Sequence, residues 1–245
     1  MSTAFDQDQF MSIYPNGIAR HYWTIARNDI IYRQLKSAGL HSKKIVEIGC
    51  GRGVVVEYLL KKGVNITGVE LAATQPYPGA ENAVILGQDA LTLPEAQRAE
   101  FEVMMMLDVA EHIEKPEAFI QMMLQAYPNV KHILLTVPAC QELWSNYDVF
   151  NGHYRRYDLA ALEELVQKFK WKSLGSRYFF HSLYPMMKLI IKMSNSRETT
   201  IKAPSGAIQL FIHKVFQITL LLDYLVVPSR WKGSSLIVIA NKGNL

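Results

Sequence analysis

Cysteine is nearly absent from this chain: Cys50 and Cys140 are the only two in 245 residues, far apart and without histidines at ligand spacing. Neither a disulfide framework nor a zinc site is therefore expected, and no carboxylate cluster points to another metal. Long uninterrupted apolar runs are missing too. His213, Lys214, Gln217 and Asp223 break the most apolar stretch, Ile208–Val227, and a central aspartate costs a spanning helix about 3 kcal/mol. A clean transmembrane helix is not expected. Residues Met1–Asp8 carry neither a basic region nor an apolar core, so no secretory signal is read and the chain is expected in the cytoplasm. Internal repeats and low-complexity runs are lacking as well. With 49% hydrophobic residues, the chain can bury one substantial core and has little room for a second domain.

What is present begins with Ile45-Val46-Glu47-Ile48, an apolar strand running into Gly49-Cys50-Gly51-Arg52-Gly53. Glycines at a strand end let the backbone turn sharply, admit a ligand without Cβ interference and open a helix with free N–H groups. The dinucleotide fingerprint GxGxxG would need glycine at 54, where Val54 stands; a dehydrogenase is thereby disfavoured. Glu47 beside the loop suits an ammonium or sulfonium ligand better than a pyrophosphate.

Alternating elements follow. Val54–Lys62 reads as a helix stopped by Gly63, Val64–Val69 as a strand ending at Glu70, and Ala83–Leu86 as a third strand followed by Asp89. Glu70 lies 17 residues beyond Gly53, where a doubly wound fold places the acid that accepts from ribose hydroxyls. Asp89 could accept from an adenine amino group. Phe101–Leu107 reads as strand four and runs into Asp108-Val109-Ala110-Glu111-His112-Ile113. A helix from Pro116 to Tyr127 leads to strand five, His132–Val137. This βαβαβ order predicts a parallel sheet with right-handed crossovers.

The motifs VEIGCGRG, GVEL, GQDAL, LDVAEHI and NGHYRRYDLAALEEL resemble those of the class I S-adenosylmethionine-dependent methyltransferases, in the branch that includes the ubiquinone-biosynthesis O-methyltransferases. The resemblance runs over roughly residues 18–180. It implies an α/β three-layer, doubly wound Rossmann-like fold, with seven mostly parallel strands in the order 3-2-1-4-5-7-6 and strand 7 antiparallel. It implies S-adenosylmethionine as cofactor, with Glu47, Gly49, Cys50, Gly51 and Gly53 on its methionine side. Glu70 with Leu71 would serve the ribose, Asp89 with Ala90 the adenine, and Asp108 with Val109 the region of the methyl group. His21 and Arg27, in HYWTIARN, would belong to an aromatic and basic N-terminal helix that closes over the cofactor.

Residues 1–40 are thus expected as a helical cap, 41–180 as the cofactor-binding core, 181–230 as a helical insertion and 231–245 as the final strand, all within one domain. Trp171–Phe180 and Ser234–Asn241 read as strands six and seven, and about 50 residues separate them where a hairpin would suffice. Charge is concentrated there. Residues 168–245 hold 12 Lys or Arg against Glu198 and Asp223, a net of +10, whereas the first 167 residues hold 14 against 20, a net of −6. Residues 184–227 therefore read either as a surface for anionic lipid or an anionic amphiphilic acceptor, or as a helical lid with lysines in water. Ser194–Thr200 is expected as a mobile loop.

Methyl transfer needs alignment and a deprotonated nucleophile. His112, just past strand four, and His153 are the candidate bases, with a bracing role for His112 beside Asp108 or Glu111 left open. Arg155, Arg156 and Tyr157 are the candidate acceptor contacts, the arginines alternatively pairing with Glu163 or Glu164. The expected acceptor is small or lipid-linked, and the methyl group is expected to go to oxygen. A nucleic-acid acceptor is disfavoured, because Asp108-Val109-Ala110-Glu111 lacks the Pro-Pro-aromatic sequence that stacks a flipped base. A noncatalytic membrane-associated partner protein that keeps the fold is the alternative. Oligomeric state is not legible.

Overall fold

The structure is a computed structural model that describes Phe10, residues 13–194 and residues 198–243. Its centre is a seven-stranded sheet in the order β3-β2-β1-β4-β5-β7-β6. The strands are β1 (Ile45–Ile48), β2 (Ile66–Glu70), β3 (Val84–Leu86), β4 (Val103–Leu107), β5 (His132–Pro138), β6 (Trp171–Phe179) and β7 (Ser235–Lys242). The first five pair in parallel and β7 runs antiparallel between β5 and β6. Expected strand limits hold to within a residue or two.

Parallel strands covered on both faces read as continuous apolar runs, and β1 and β4 are buried throughout. On β4, Met104 and Met106 point to one core while Val103, Met105 and Leu107 point to the other. The first face is covered by α3 (Pro116–Ala126) and α4 (Leu159–Gln167), through Ile120, Met123, Leu162 and Leu165. The second face is covered by α1 (Tyr22–Ser37) and α2 (Val54–Lys61), through Ala26, Ile30, Ile31, Val56 and Leu59. Fully burying such side chains stabilises by about 1.5–3 kcal/mol each. The edge strand β6 leaves Lys172–Gly175 exposed and carries a bulge at Ser173/Gly175, two features that discourage edge pairing.

The insertion between β6 and β7 folds as α5 (Leu183–Ser194) and α6 (Gly206–Val226). Among the described residues only Gly206–Val226 is long and apolar enough to cross a membrane by length and composition. It is mounted with its polar side inward: its buried residues are Gln217, Leu220, Asp223 and Tyr224. Gln34 donates to the Tyr224 hydroxyl at 2.6 Å, Ser182 N–H donates to Asp223 at 3.1 Å, and Arg177 stacks 3.9 Å from the Tyr224 ring. Phe211, Leu222, Leu225 and Val226 face outward. Of the expected mobile loop Ser194–Thr200, residues 195–197 lie outside the described residues.

Candidate active site

The C-terminal ends of β1, β2 and β4 carry the expected loops, as ligand sites in open α/β sheets do. Gly49 and Gly53 adopt φ of 74° and 84°. A Cβ on Gly49 would stand 2.8 Å from Val109 Cγ2, and one on Gly53 would stand 2.6 Å from Val84 Cγ1. Only glycine satisfies both the backbone angle and the space. Glu70 accepts from Gly51 N–H at 2.9 Å and Ala72 N–H at 3.0 Å, bracing the loop from the neighbouring strand.

Above this loop lies a cavity of about 610 Å³, within the range of small-molecule sites. Its wall includes Glu47, Gly49, Cys50, Arg27 and Asp108, and also Glu111, His112, Asn151, His153 and Arg156. His21 lines it from the start of α1, and Met186, Met187 and Ile190 line it from α5. Residues far apart in sequence are thus brought to one space by the strand order.

Glu47 is buried, and its Oε2 has no hydrogen-bond partner. Burial lifts its carboxyl to about 8, Arg27 opposing this and Glu70 and Asp108 adding to it. A positively charged group in the cavity would satisfy that orphaned oxygen, which fits the ammonium and sulfonium of S-adenosylmethionine. Arg27 pairs with Asp108 at 2.6 Å, and Thr136 donates to the other Asp108 oxygen at 3.0 Å. Asp108 itself sits at φ 56°, a left-handed conformation that aspartate tolerates better than most residues. The Cys50 thiol is pushed well up, first by burial and then by Glu47 and Glu70; it is an inert, small loop residue.

On the cavity wall, His112 and His153 meet edge-to-face with centroids 4.6 Å apart. Burial, then the neighbouring His153, lowers His112 to about 4. His153 Nδ1 lies 2.9 Å from Asp148 Oδ1, which also accepts from Arg156 Nε at 2.8 Å. Burial pushes Asp148 up, but the bonds from His153 and Arg156 outweigh it and hold the carboxyl below its usual value.

Several expected residues do not line this cavity. Gly51, Gly53, Glu70, Leu71, Asp89, Ala90 and Val109 are outside the cavity wall. The ring of Tyr14 approaches to 3.1 Å of a Cβ position on Gly51, closing that side of the loop. Asp89 is exposed and caps the turn that follows by accepting from Leu91 N–H at 2.9 Å, while Ala90 accepts from the Tyr127 hydroxyl through its carbonyl. Arg155 donates to the Glu114 carbonyl at 2.6 Å, and the Tyr157 hydroxyl donates to the Ala110 carbonyl at 3.3 Å; neither lines the cavity. Arg156 does line it, but its Nε and Nη1 are taken by Asp148 and the Ala139 carbonyl. Glu163 and Glu164 are not the partners. Tyr14, Asn28, Asp148 and Thr136 were not singled out in the sequence. Only the Ser145-x-x-Asp148 capping box gave Asp148 a local signal.

Residues 22–174 match the family described as "Methyltransferase domain". The chain is 26% identical over 157 residues to the ubiquinone biosynthesis O-methyltransferase of Idiomarina loihiensis, covering 52% of this chain and 65% of that one. With the enzyme of the same description from Pseudomonas aeruginosa strain UCBPP-PA14 the figures are 30% over 91 residues, 34% and 39%. The matches thus span less than two thirds of these relatives' length. Among solved structures, magnesium protoporphyrin IX methyltransferase from Synechocystis PCC 6803 with bound S-adenosylmethionine aligns at TM-score 0.53 and 13% identity, over 96% of this chain and 90% of that one. The 1,6-didemethyltoxoflavin-N1-methyltransferase of Burkholderia thailandensis, bound to S-adenosylhomocysteine, aligns at TM-score 0.51 and 15% identity, over 94% and 81%. With the strand order, the glycine loop and the orphaned Glu47 oxygen in place, the chain belongs to the methyltransferase domain family, as a class I member built for S-adenosylmethionine.

Proposed function

We propose that this chain transfers a methyl group from S-adenosylmethionine to an oxygen of a small or lipid-linked acceptor. The observation that carries the reading is one cavity lined both by Glu47, Gly49 and Asp108 and by Glu111, His112 and His153. The cofactor, when bound, supplies an electrophilic methyl on a sulfonium. Glu47 and the Gly49–Gly53 loop would hold it, with Glu70 and Asp89 at its ribose and adenine and Asp108 near the methyl. The chain's remaining tasks are to exclude water, align the acceptor and take its proton. His112 and His153 both line the cavity and would take the acceptor's proton there. His112→Ala is expected to bind cofactor normally and lose turnover by about 10²–10⁴-fold; unchanged turnover removes it from the mechanism.

Support for an amphiphilic acceptor comes from α5. Its Met186, Met187 and Ile190 line the same cavity, while Leu189 and Met193 on the helix face outward. The same helices support a peripheral position on an anionic, cytoplasm-facing membrane surface. The exposed apolar side of α6 lies in the third of the chain with net charge +10, a combination suited to the bilayer interface.

Calorimetric titration with S-adenosylmethionine, with NADH as the control ligand, tests the reading. Saturable binding of the sulfonium compound alone, lost in Glu70→Ala, is expected. Failure to bind it would favour the noncatalytic partner reading, and binding of NADH instead would favour an oxidoreductase.

A further inference from the structure

Asn28 is 2% exposed and lines the cavity, and its Oδ1 has no hydrogen-bond partner. A buried amide oxygen left without a donor is costly, so such a group on a cavity wall marks a place where a ligand supplies the missing bond. None of the sequence motifs singled Asn28 out; its place on α1 does. Thr24, Arg27 and Asn28 all line the cavity, because residues three and four apart share one face of a helix. That face is fixed from the sheet: Arg27 Nη2 donates to Asp108 at 2.6 Å and to Thr136 Oγ1 at 3.3 Å. Ala26, Ile30 and Ile31 anchor the same helix in the core, so Asn28 cannot turn away to find water. Its chain neighbour Arg27 leaves Nε unpartnered, and Glu47 leaves Oε2 unpartnered, both on the same wall. Glu111, the other unpartnered carboxylate there, is grouped instead with His112 and His153.

Asn28 Oδ1 and Glu47 Oε2 want donors, and Arg27 Nε wants an acceptor. A lone cation would leave Arg27 Nε unsatisfied, and a lone anion would leave both oxygens so. An α-amino acid in its zwitterionic form meets all three, its ammonium giving up to three N–H bonds and its carboxylate receiving one. We propose that Asn28 is a specificity-determining residue of the cofactor site, accepting with Glu47 from the ammonium of S-adenosylmethionine while Arg27 Nε donates to the adjoining carboxylate. A neutral amide serves this purpose well, since it accepts an N–H without adding charge to a wall that already holds Glu47 and Asp108. The inference rests on the cofactor assignment above and adds a consequence to it. Asn28 reads the amino-acid end, which S-adenosylmethionine and its product S-adenosylhomocysteine share, and takes no part in reading the sulfonium. Preference for these two over a truncated thionucleoside therefore depends on Asn28, whereas discrimination between the two does not.

The test is calorimetric titration of the full chain, wild type and variant, with S-adenosylmethionine, S-adenosylhomocysteine and 5′-methylthioadenosine, which lacks the amino acid. Loss of a hydrogen bond to a charged group lowers affinity by about 10–100-fold. Asn28→Ala is expected to weaken the first two ligands alike by that factor and to leave 5′-methylthioadenosine unchanged. Asn28 Oδ1 has no internal bond to lose, so the fold is expected to persist. Asn28→Leu fills the same space without polar atoms, and the comparison is read in whichever variant keeps the wild-type denaturation midpoint. Unchanged affinity for S-adenosylmethionine, or an equal loss for all three ligands, would overturn the role of Asn28 and leave the cofactor assignment standing. Loss for S-adenosylmethionine alone would put Asn28 at the sulfonium and overturn it likewise. Absence of S-adenosylmethionine binding in the wild-type chain would overturn both.

Discussion

Glu47 carries the sharpest residue-scale consequence. Its carboxyl is lifted from 4.5 to about 8, so between those values the folded chain holds a proton that the unfolded chain has released. Stability of the ligand-free fold therefore falls as pH rises through that window, and the loss is complete above it. A cationic ligand favours the ionised form, so cofactor binding at pH 7 is expected to release a proton. Calorimetry in buffers of differing ionisation enthalpy will read this, and Glu47→Gln is expected to abolish the release and weaken binding. Gly53 is equally exposed to test. At φ 84°, with Val84 in the path of a Cβ, Gly53→Ala is expected to destabilise the chain by more than about 1 kcal/mol, measured as a lowered denaturation midpoint.

At the scale of elements, α6 is held to α1 through histidine. Tyr22 N–H donates to His213 Nδ1 at 3.1 Å, and the His213 ring stands edge-on to His21 at 4.8 Å. Burial, then His213, lowers His21 from 6.5 to about 4, and burial also lowers His213. Both favour the neutral form in the fold, so the stability they contribute is present above pH 6.5 and is lost as pH falls from 6.5 toward 4. Hydrogen exchange at the Tyr22 amide, corrected for intrinsic rate, is expected to quicken over that interval. In His213→Ala it should be fast throughout and lose this dependence. Read along the sequence, the polar residues of Ile208–Val227 were interruptions of an apolar run. In the fold, Gln217, Asp223 and Tyr224 are the attachment side of the helix, because residues three and four apart share a helical face.

For the whole molecule, that mounting leaves Phe211, Leu222, Leu225 and Val226 in solvent at 54–75% exposure, large apolar side chains of the kind that mark interaction surfaces. Sedimentation with vesicles rich in phosphatidylglycerol is expected to carry the chain down, with much weaker association to phosphatidylcholine and partial release by salt. The pair Phe211→Ser and Leu222→Ser should abolish association while keeping cofactor binding; self-association that persists without vesicles would assign the face to a second copy. The sequence by itself determined the alternation of strands and helices, the glycine loop and the long insertion, since each is written in local periodicity or in a steric demand that only glycine meets; the strand order came from the family resemblance of its motifs. The tertiary structure alone decided that His112 and His153, 41 residues apart, face each other beside an unpartnered Glu111, that Arg155 and Tyr157 turn from the cavity, and that the apolar side of α6 looks outward. Those facts depend on which loop ends the crossovers bring together and on which helix face meets the sheet, and no run of neighbouring residues encodes either.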